Sequence, residues 1–199
     1  KNRTNKLLLI IFQQELTLNN KDSEKNSSAS SLTKSNSNSN LITLNLPVEK
    51  ELVECLYKIK ARNQEIYQFP TFGDALGSDY KLFERNELSI NSFKKQLIVI
   101  AKNSLKSDIF ISDSFFTIFR SGGGLVSHDH LNKIDRIEGL DIAKKKFSLV
   151  YYLSVGDQNC DEPGILKLEN PNQEILPSNG LIIIFPAERK HSVFYKGEK

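Results

Sequence analysis

Residues 122–130 read GGGLVSHDH, a glycine-rich turn and a strand-like run that carries two of the three histidines of the chain. A β-strand points alternate side chains to the same face, so His128 and His130 can present two imidazoles side by side. The third histidine, His191, lies 61 residues later (191 − 130) in another strand-like run, HSVFY. Neutral imidazole is a good ligand for iron, zinc or copper. The pattern therefore predicts a metal site formed by His128, His130 and His191 on a β scaffold.

The sequence around these histidines alternates short β-like runs with turn residues. The predicted strands are residues 41–46, 109–120, 125–130, 147–154, 164–168, 181–185 and 191–195. Two helices are predicted before the main series, one opened by Pro47 and one from about residue 89 to residue 105. The tetrapeptide PSNG at 177–180 is typical of a tight turn. We therefore predict an α+β fold in which the strands form a sandwich or jelly roll and the helices buttress one sheet.

The first forty residues differ in composition from the rest. The apolar run LLLIIF at 7–12 is far shorter than the ~20 residues needed to span a bilayer. It is expected to be a helix or strand packed on another element, and residues 1–18 are assigned to the remnant of an upstream helical region. Residues 19–40 are almost wholly Ser, Asn and Lys, which predicts a disordered linker. Residues 41–199 are the predicted folded domain, and the chain reads as a fragment cut at both ends.

The overall composition narrows the classes of partner. A net charge of +3 comes from Lys and Arg spread along the chain, with no dense basic run, so no nucleic-acid partner is expected. The absence of a long apolar stretch predicts no membrane partner. The two cysteines, Cys55 and Cys160, lie in different segments and predict free thiols, not a disulfide framework. A reducing compartment, the cytoplasm, is the expected location.

Six elements occur in an order that resembles a known protein family. They are His128-Asp129-His130, LVYYLS at 149–154, Gly164-Ile165-Leu166, PSNG at 177–180, LIIIFP at 181–186 and His191-Ser192-Val193. Together they resemble, over residues 115–199, the iron(II)/2-oxoglutarate-dependent oxygenases, particularly the prolyl-hydroxylase-like branch. The resemblance implies a fold, the double-stranded β-helix (a cupin-like jelly roll). It also implies an enzyme that uses Fe(II), 2-oxoglutarate and O₂. It also implies a dioxygenase that hydroxylates a substrate, which the sequence does not identify as protein, peptide or small molecule.

The metal ligands depart from the pattern of that family, which is His-x-Asp/Glu and a distal His. By resemblance, His128 and His191 correspond to the two family histidines, and His130 stands in the place of the carboxylate. One interpretation is an iron site with three histidines. The other is an irregular backbone that brings Asp129 or Asp135 to the metal.

The resemblance also implies residues for the co-substrate. The family places a basic residue, usually Arg, about eight to ten positions after the distal histidine, where it pairs with the far carboxylate of 2-oxoglutarate. Lys199 stands at +8 (199 − 191), although the true partner is expected beyond it. Either Tyr151 or Tyr152 is expected to supply an inward hydroxyl, depending on the register. The expected apolar lining of the pocket is Phe119, Val150, Ile183 and Phe185.

Two other functions fit the same pattern. One is a cupin-like metalloenzyme that does not use 2-oxoglutarate, because the three histidines of this chain resemble the three-histidine metal sites of that group. The other is a non-catalytic jelly-roll binding module in which the histidines hold a structural metal or none. The segment 131–146, which follows the first two histidines, is either a lid over the site or a solvated connector.

Overall fold

The computed structural model describes residues 7–17, 41–59, 61–63 and 71–197, and for residues 7–17 and 62–63 the backbone alone. The described part has two α-helices, α1 (Lys50–Lys58) and α2 (Leu88–Leu105), and 3₁₀ turns at Leu82–Glu84 and Ala143–Lys145. The strands are β1 (Leu7–Thr17), β2 (Ile42–Asn45), β3 (Arg62–Asn63), β4 (Thr71–Phe72), β5 (Ala75–Gly77), β6 (Asp108–Phe119), β7 (Gly123–His128), β8 (Lys146–Ser154), β9 (Pro163–Leu168), β10 (Gln173–Ile175), β11 (Leu181–Pro186) and β12 (His191–Tyr195).

The strands form two antiparallel sheets. The large sheet has the order β2-β11-β8-β1-β6-β5-β3, and the small sheet has the order β10-β9-β12-β7-β4. Side chains of a strand alternate between faces, and β8 shows the consequence. Val150 and Tyr152 lie in a core between the two sheets, whereas Leu149 and Tyr151 lie in a second core between the large sheet and the helices.

Helix α2 covers the outer face of the large sheet because its apolar residues recur at helical spacing. Ile90, Phe93, Leu97 and Ala101 are all buried. The layers are therefore helices, large sheet and small sheet. This confirms the predicted mixed α+β class, and the arrangement is compatible with a β-sandwich or jelly roll. The predicted apolar lining residues all belong to the core between the sheets.

Strand β1 corrects the expectation for the start of the chain. Residues 7–17 are not a helical remnant outside the domain; they form a strand in the middle of the large sheet. Ile10, for example, pairs with Phe116 of β6 on one side and with Tyr151 of β8 on the other. A short apolar run fits a buried strand as well as a helix, so periodicity could not distinguish the two. The predicted linker, residues 19–40, lies outside the described residues.

Two further expectations concern the cysteines and membranes. Cys55 and Cys160 are both free thiols, as predicted. No helix in the described ranges combines the length and the apolar character that crossing a bilayer requires.

Candidate metal centre

The three histidines converge at one point in the fold. One potential ligand atom from each of His128, His130 and His191 lies within 4.8 Å of the other two. The ring centroids are 4.2 Å apart for His128 and His191, 4.8 Å for His130 and His191, and 5.0 Å for His128 and His130. An imidazole nitrogen binds a metal such as zinc at about 2.0–2.1 Å, so modest side-chain rotation would bring all three to one ion. This group could hold a metal ion, as the sequence predicts.

A β-bulge aims His128 at the site. Strands β7 and β12 pair Leu125 with Val193 but His128 with His191, so β7 contains one extra residue between these pairs. In a regular strand Leu125 and His128, three residues apart, would face opposite sides. The bulge lets both face the same side, and Leu125 joins the core between the sheets. The sequence predicts a regular strand over residues 125–130, which would place these two residues on opposite faces, so that prediction is wrong in this detail.

His130 reaches the site from a loop. Strand β7 ends at His128, two residues earlier than predicted, and the residues after it have no regular structure until Ala143. The backbone N–H of His130 donates a hydrogen bond of 2.9 Å to the carbonyl of Ala187, just beyond β11. The three imidazoles therefore come from a bulged strand end, a loop and the first residue of β12.

Hydrogen bonds set the orientation of two of the rings. Nδ1 of His128 lies 2.8 Å from the carbonyl oxygen of Val126, and Nδ1 of His191 lies 3.3 Å from that of Arg189. A neutral imidazole that donates its N–H from Nδ1 carries its lone pair on Nε2. Histidines that bind metals commonly donate their other N–H to a carbonyl in this way.

The Nε2 atom of His191 gives an independent sign that a ligand belongs here. His191 is 1% exposed, and among the described residues its Nε2 has no hydrogen-bond partner. A buried nitrogen without a partner costs free energy. A bound metal ion would satisfy this atom, so the residues present fit such an ion.

The electrostatic environment keeps the histidines neutral. Burial lowers the pKa of His128. Burial, with the nearby His128, lowers the pKa of His130 to about 3. Burial, with the other two histidines, lowers the pKa of His191 well below its usual value. Because a metal binds only unprotonated imidazole, the site is in its binding form at neutral pH.

The two nearby carboxylates are occupied elsewhere. Asp129 accepts a hydrogen bond of 3.0 Å from the N–H of Leu131, and its Oδ1 lies 2.5 Å from Nη2 of Arg136. Asp135 is buried and forms an ion pair of 2.7 Å with Nζ of Lys146. Among the described residues, the group of potential ligands contains the histidines and no carboxylate.

The register of β8 distinguishes the two candidate tyrosines. Tyr151 faces the helices, where its ring stacks on Phe93 at 5.0 Å and its hydroxyl donates to the carbonyls of Leu46 and Pro47 at 3.2 and 3.3 Å. Tyr152 faces the small sheet. Its hydroxyl is buried without a hydrogen-bond partner among the described residues, and burial raises its pKa. Lys199 lies outside the described residues.

Two buried hydroxyls on the same inner face were missed in the sequence. Ser148 lies on β8 opposite Phe185, whose ring is 5.0 Å from that of His191. Thr117 lies on β6. Neither hydroxyl has a hydrogen-bond partner in the described part of the chain. The alternation of KFSLVYYLS could have indicated Ser148, since it places that residue on the face of Val150 and Tyr152.

A buried arginine supports the strand that carries His191. Arg189, 7% exposed, donates to the carbonyls of Glu169 (2.9 Å) and Pro171 and to Oε1 of Gln173 (2.8 Å). Its own carbonyl receives the Nδ1 hydrogen bond of His191. Arg189 thus connects the turn between β9 and β10 to the backbone carbonyl that orients the His191 ring.

Comparisons of the chain with protein-family models, with curated proteins and with solved structures find no match.

Proposed function

We propose that the chain is an iron(II)- and 2-oxoglutarate-dependent dioxygenase that hydroxylates a C–H bond of a substrate. The observation that carries the proposal is the convergence of His128, His130 and His191 within 4.8 Å. Three protein ligands leave coordination positions for small molecules, which suits a catalytic ion better than a closed structural site. Bound iron would supply the oxygen activation, while the chain supplies ligand geometry and an apolar surrounding.

Three buried hydroxyls between the sheets, which have no hydrogen-bond partner in the described part of the chain, support a polar co-substrate in this core. Ser148 lies beside Phe185, which contacts His191. Thr117 and Tyr152 lie further along, both opposite Leu9 on the two sides of β1. Buried polar atoms are usually satisfied, so three hydroxyls on one inner face that have no hydrogen-bond partner among the described residues favour a bound molecule with acceptor oxygens. A carboxylate of 2-oxoglutarate would accept hydrogen bonds from these hydroxyls.

The chain's residues have defined roles in this proposal. The three histidines would hold Fe(II), and the hydroxyl of Tyr152 would donate to the co-substrate. Lys199, or a basic residue following it, would pair with the far carboxylate, as the family resemblance implies. The overall reaction balances as 2-oxoglutarate, O₂ and R–H giving succinate, CO₂ and R–OH. Each oxygen atom of O₂ enters one of the two oxidised products.

The most direct test of co-substrate use needs no knowledge of the substrate. Protein loaded with Fe(II) under anaerobic conditions is titrated with 2-oxoglutarate, because chelation of Fe(II) by a 2-oxo acid produces a visible charge-transfer band. We expect a saturable band that is absent with succinate, which lacks the keto group. Admission of ¹⁸O₂ with ascorbate as reductant should then yield succinate with one labelled oxygen. Iron binding without the band would contradict the proposal.

A second candidate is a cupin-like metalloenzyme that does not use 2-oxoglutarate. The observation that favours it is the ligand group itself, which has three histidines and no carboxylate among the described residues. The same titration separates the two functions, since the second candidate predicts iron binding without a 2-oxo acid band. For either function we propose a reducing compartment such as the cytoplasm, in keeping with the two free thiols.

A further inference from the structure

His130 needs a means of positioning that the other two histidines do not need. His128 and His191 are the end residues of paired strands, whereas His130 follows the end of β7. Its loop continues to Ala143 without a strand or helix. Loops are more mobile than the elements they connect, so a third ligand on this loop requires specific contacts.

The residues after His130 form a tight polar turn. Oδ1 of Asn132 accepts hydrogen bonds from the N–H groups of Ile134 and Asp135, at 2.8 and 3.0 Å. Oδ2 of Asp135 accepts one from the N–H of Asn132, at 2.7 Å. Ile134 is left 61% exposed while Asp135 is 4% exposed. The turn therefore directs the Asp135 carboxylate into the protein.

The buried ion pair closes a ring of contacts around His130. The N–H of His130 donates to the carbonyl of Ala187, and the N–H of Ala187 donates to the carbonyl of Lys146, both at 2.9 Å. Nζ of Lys146 pairs with Oδ1 of Asp135 at 2.7 Å. Oδ2 of Asp135 accepts a hydrogen bond from the N–H of Asn132, which lies two residues after His130. The ring thus anchors the loop through the backbone of His130 to the residue after β11, and through Asp135 to the first residue of β8.

A contribution to stability alone does not account for the buried ion pair between Asp135 and Lys146. The side chains of Lys146 and Asp135 are 5% and 2% exposed. Desolvation of two charges offsets most of their attraction, and an apolar pair of similar volume often stabilises a fold as well or better. A directional, charge-assisted contact does fix a loop in one geometry. We infer that the Asp135–Lys146 ion pair is a positioning device that holds His130 at the metal centre.

This inference rests on the proposed metal centre but not on the use of 2-oxoglutarate, so the test measures metal binding alone. Co(II) serves as the probe, because its visible absorption reports the number and type of ligands. The variant is Asp135→Asn with Lys146→Met, which removes both charges and leaves neither buried alone. It is compared in two backgrounds, with His130 and with His130→Ala. Thermal unfolding of each protein without metal shows whether the fold is kept.

We expect the double variant to weaken Co(II) binding by about ten- to a hundredfold when His130 is present, the range typical of outer-shell changes. Its spectrum should resemble that of His130→Ala. In the His130→Ala background the same two substitutions should leave the affinity within about twofold, because coupled residues are not additive. Equal weakening in both backgrounds, or none in either, would overturn the inference.

Two further variants test whether weaker Co(II) binding reflects only a general loss of stability. Asp141→Asn with Lys144→Gln removes an exposed ion pair of 2.8 Å in the same loop and should leave Co(II) affinity unchanged. Asn132→Ala breaks the turn without burying a charge and should weaken Co(II) binding only when His130 is present. If the unaltered protein binds no Co(II), both the metal centre and this inference fail. If Co(II) binds but 2-oxoglutarate gives no band with iron, only the dioxygenase proposal fails.

Discussion

His128 and His191 face each other across two paired strands, and each ring is held by the carbonyl two residues before it. Their ring centroids are 4.2 Å apart, and their Nδ1 atoms lie 2.8 and 3.3 Å from the carbonyl oxygens of Val126 and Arg189. The two histidines thus share one local arrangement on neighbouring strands. Backbone carbonyls therefore orient two of the three candidate metal ligands.

The first prediction concerns the buried member of this pair. His191→Ala should weaken metal binding by at least about a hundredfold, because even changes in outer-shell partners cost 10- to 100-fold. Isothermal titration with Zn(II) measures the loss. Ser192→Ala is the matched control, since Ser192 lies on the opposite, less buried face of β12. Similar affinities for the two variants would show that His191 is not a ligand.

The second prediction separates the roles of the adjacent tyrosines. Tyr152→Phe removes a buried hydroxyl that has no hydrogen-bond partner among the described residues, so the free energy of unfolding should not fall, because an unsatisfied buried polar group costs about 1–3 kcal/mol. Binding of 2-oxoglutarate should weaken by about tenfold or more, since a hydrogen bond to a charged group contributes about 1.5–3 kcal/mol.

Tyr151→Phe is the matched control for that experiment. It removes the hydrogen bonds to the carbonyls of Leu46 and Pro47, so it should lower the free energy of unfolding by about 1 kcal/mol. Binding of 2-oxoglutarate should not change. The reverse result, in which Tyr151→Phe weakens binding and Tyr152→Phe lowers stability, would contradict the assigned register.

The third prediction is a loss of stability in mild acid. Burial holds the folded-state pKa values of His128, His130 and His191 below the usual value, with His130 at about 3. In the unfolded chain these groups titrate near 6.5. Below pH 6.5 the unfolded state therefore binds more protons, and the free energy of unfolding falls as the pH falls. The stabilisation is complete above pH 6.5 and is lost progressively toward pH 3.

Urea denaturation of the metal-free protein between pH 7.5 and pH 5 measures this effect. Each histidine contributes a slope of at most about 1.4 kcal/mol per pH unit. His130→Phe should reduce the total slope, because one buried titrating group is removed. A free energy of unfolding that stays constant across this range would show that the histidines are not buried in neutral form.

The fourth prediction tests the central position of β1. Ile10→Pro should prevent folding or lower stability severely, because Ile10 pairs on both sides, with Phe116 and with Tyr151, and proline cannot donate to a sheet. Ser28→Pro, in the predicted linker, should have little effect. Circular dichroism and urea denaturation compare the two variants. A stable, folded Ile10→Pro protein would place residues 7–17 outside the sheet.

Much of the fold follows from local patterns in the sequence. The apolar stripe of α2 and the alternation in β8 identify which faces are buried. The position of β1 was not predictable in this way, because it depends on pairing with β6 and β8, more than ninety residues away along the chain. The three histidines could be grouped from the sequence, because His128 and His130 stand two residues apart in one predicted strand and His191 begins another.

The remaining features of the site depend on tertiary contacts. The bulge before His128 has no signal in the residues Val126 and Ser127, since it appears only in the pairing with β12. The partners of Asp129 and Asp135, Arg136 and Lys146, are likewise chosen by the loop's three-dimensional path. The sequence therefore left open whether a carboxylate reaches the metal, and the geometry directs both carboxylates to basic side chains.

The most direct test of the account is X-ray absorption spectroscopy of the protein loaded with one equivalent of Fe(II). The account predicts that one ion binds per chain with three imidazole ligands, seen as multiple scattering from the rings of His128, His130 and His191. Each His→Ala variant should lose one imidazole contribution. An ion bound without imidazole scattering, or no ion retained at pH 7.5, would contradict the central claim.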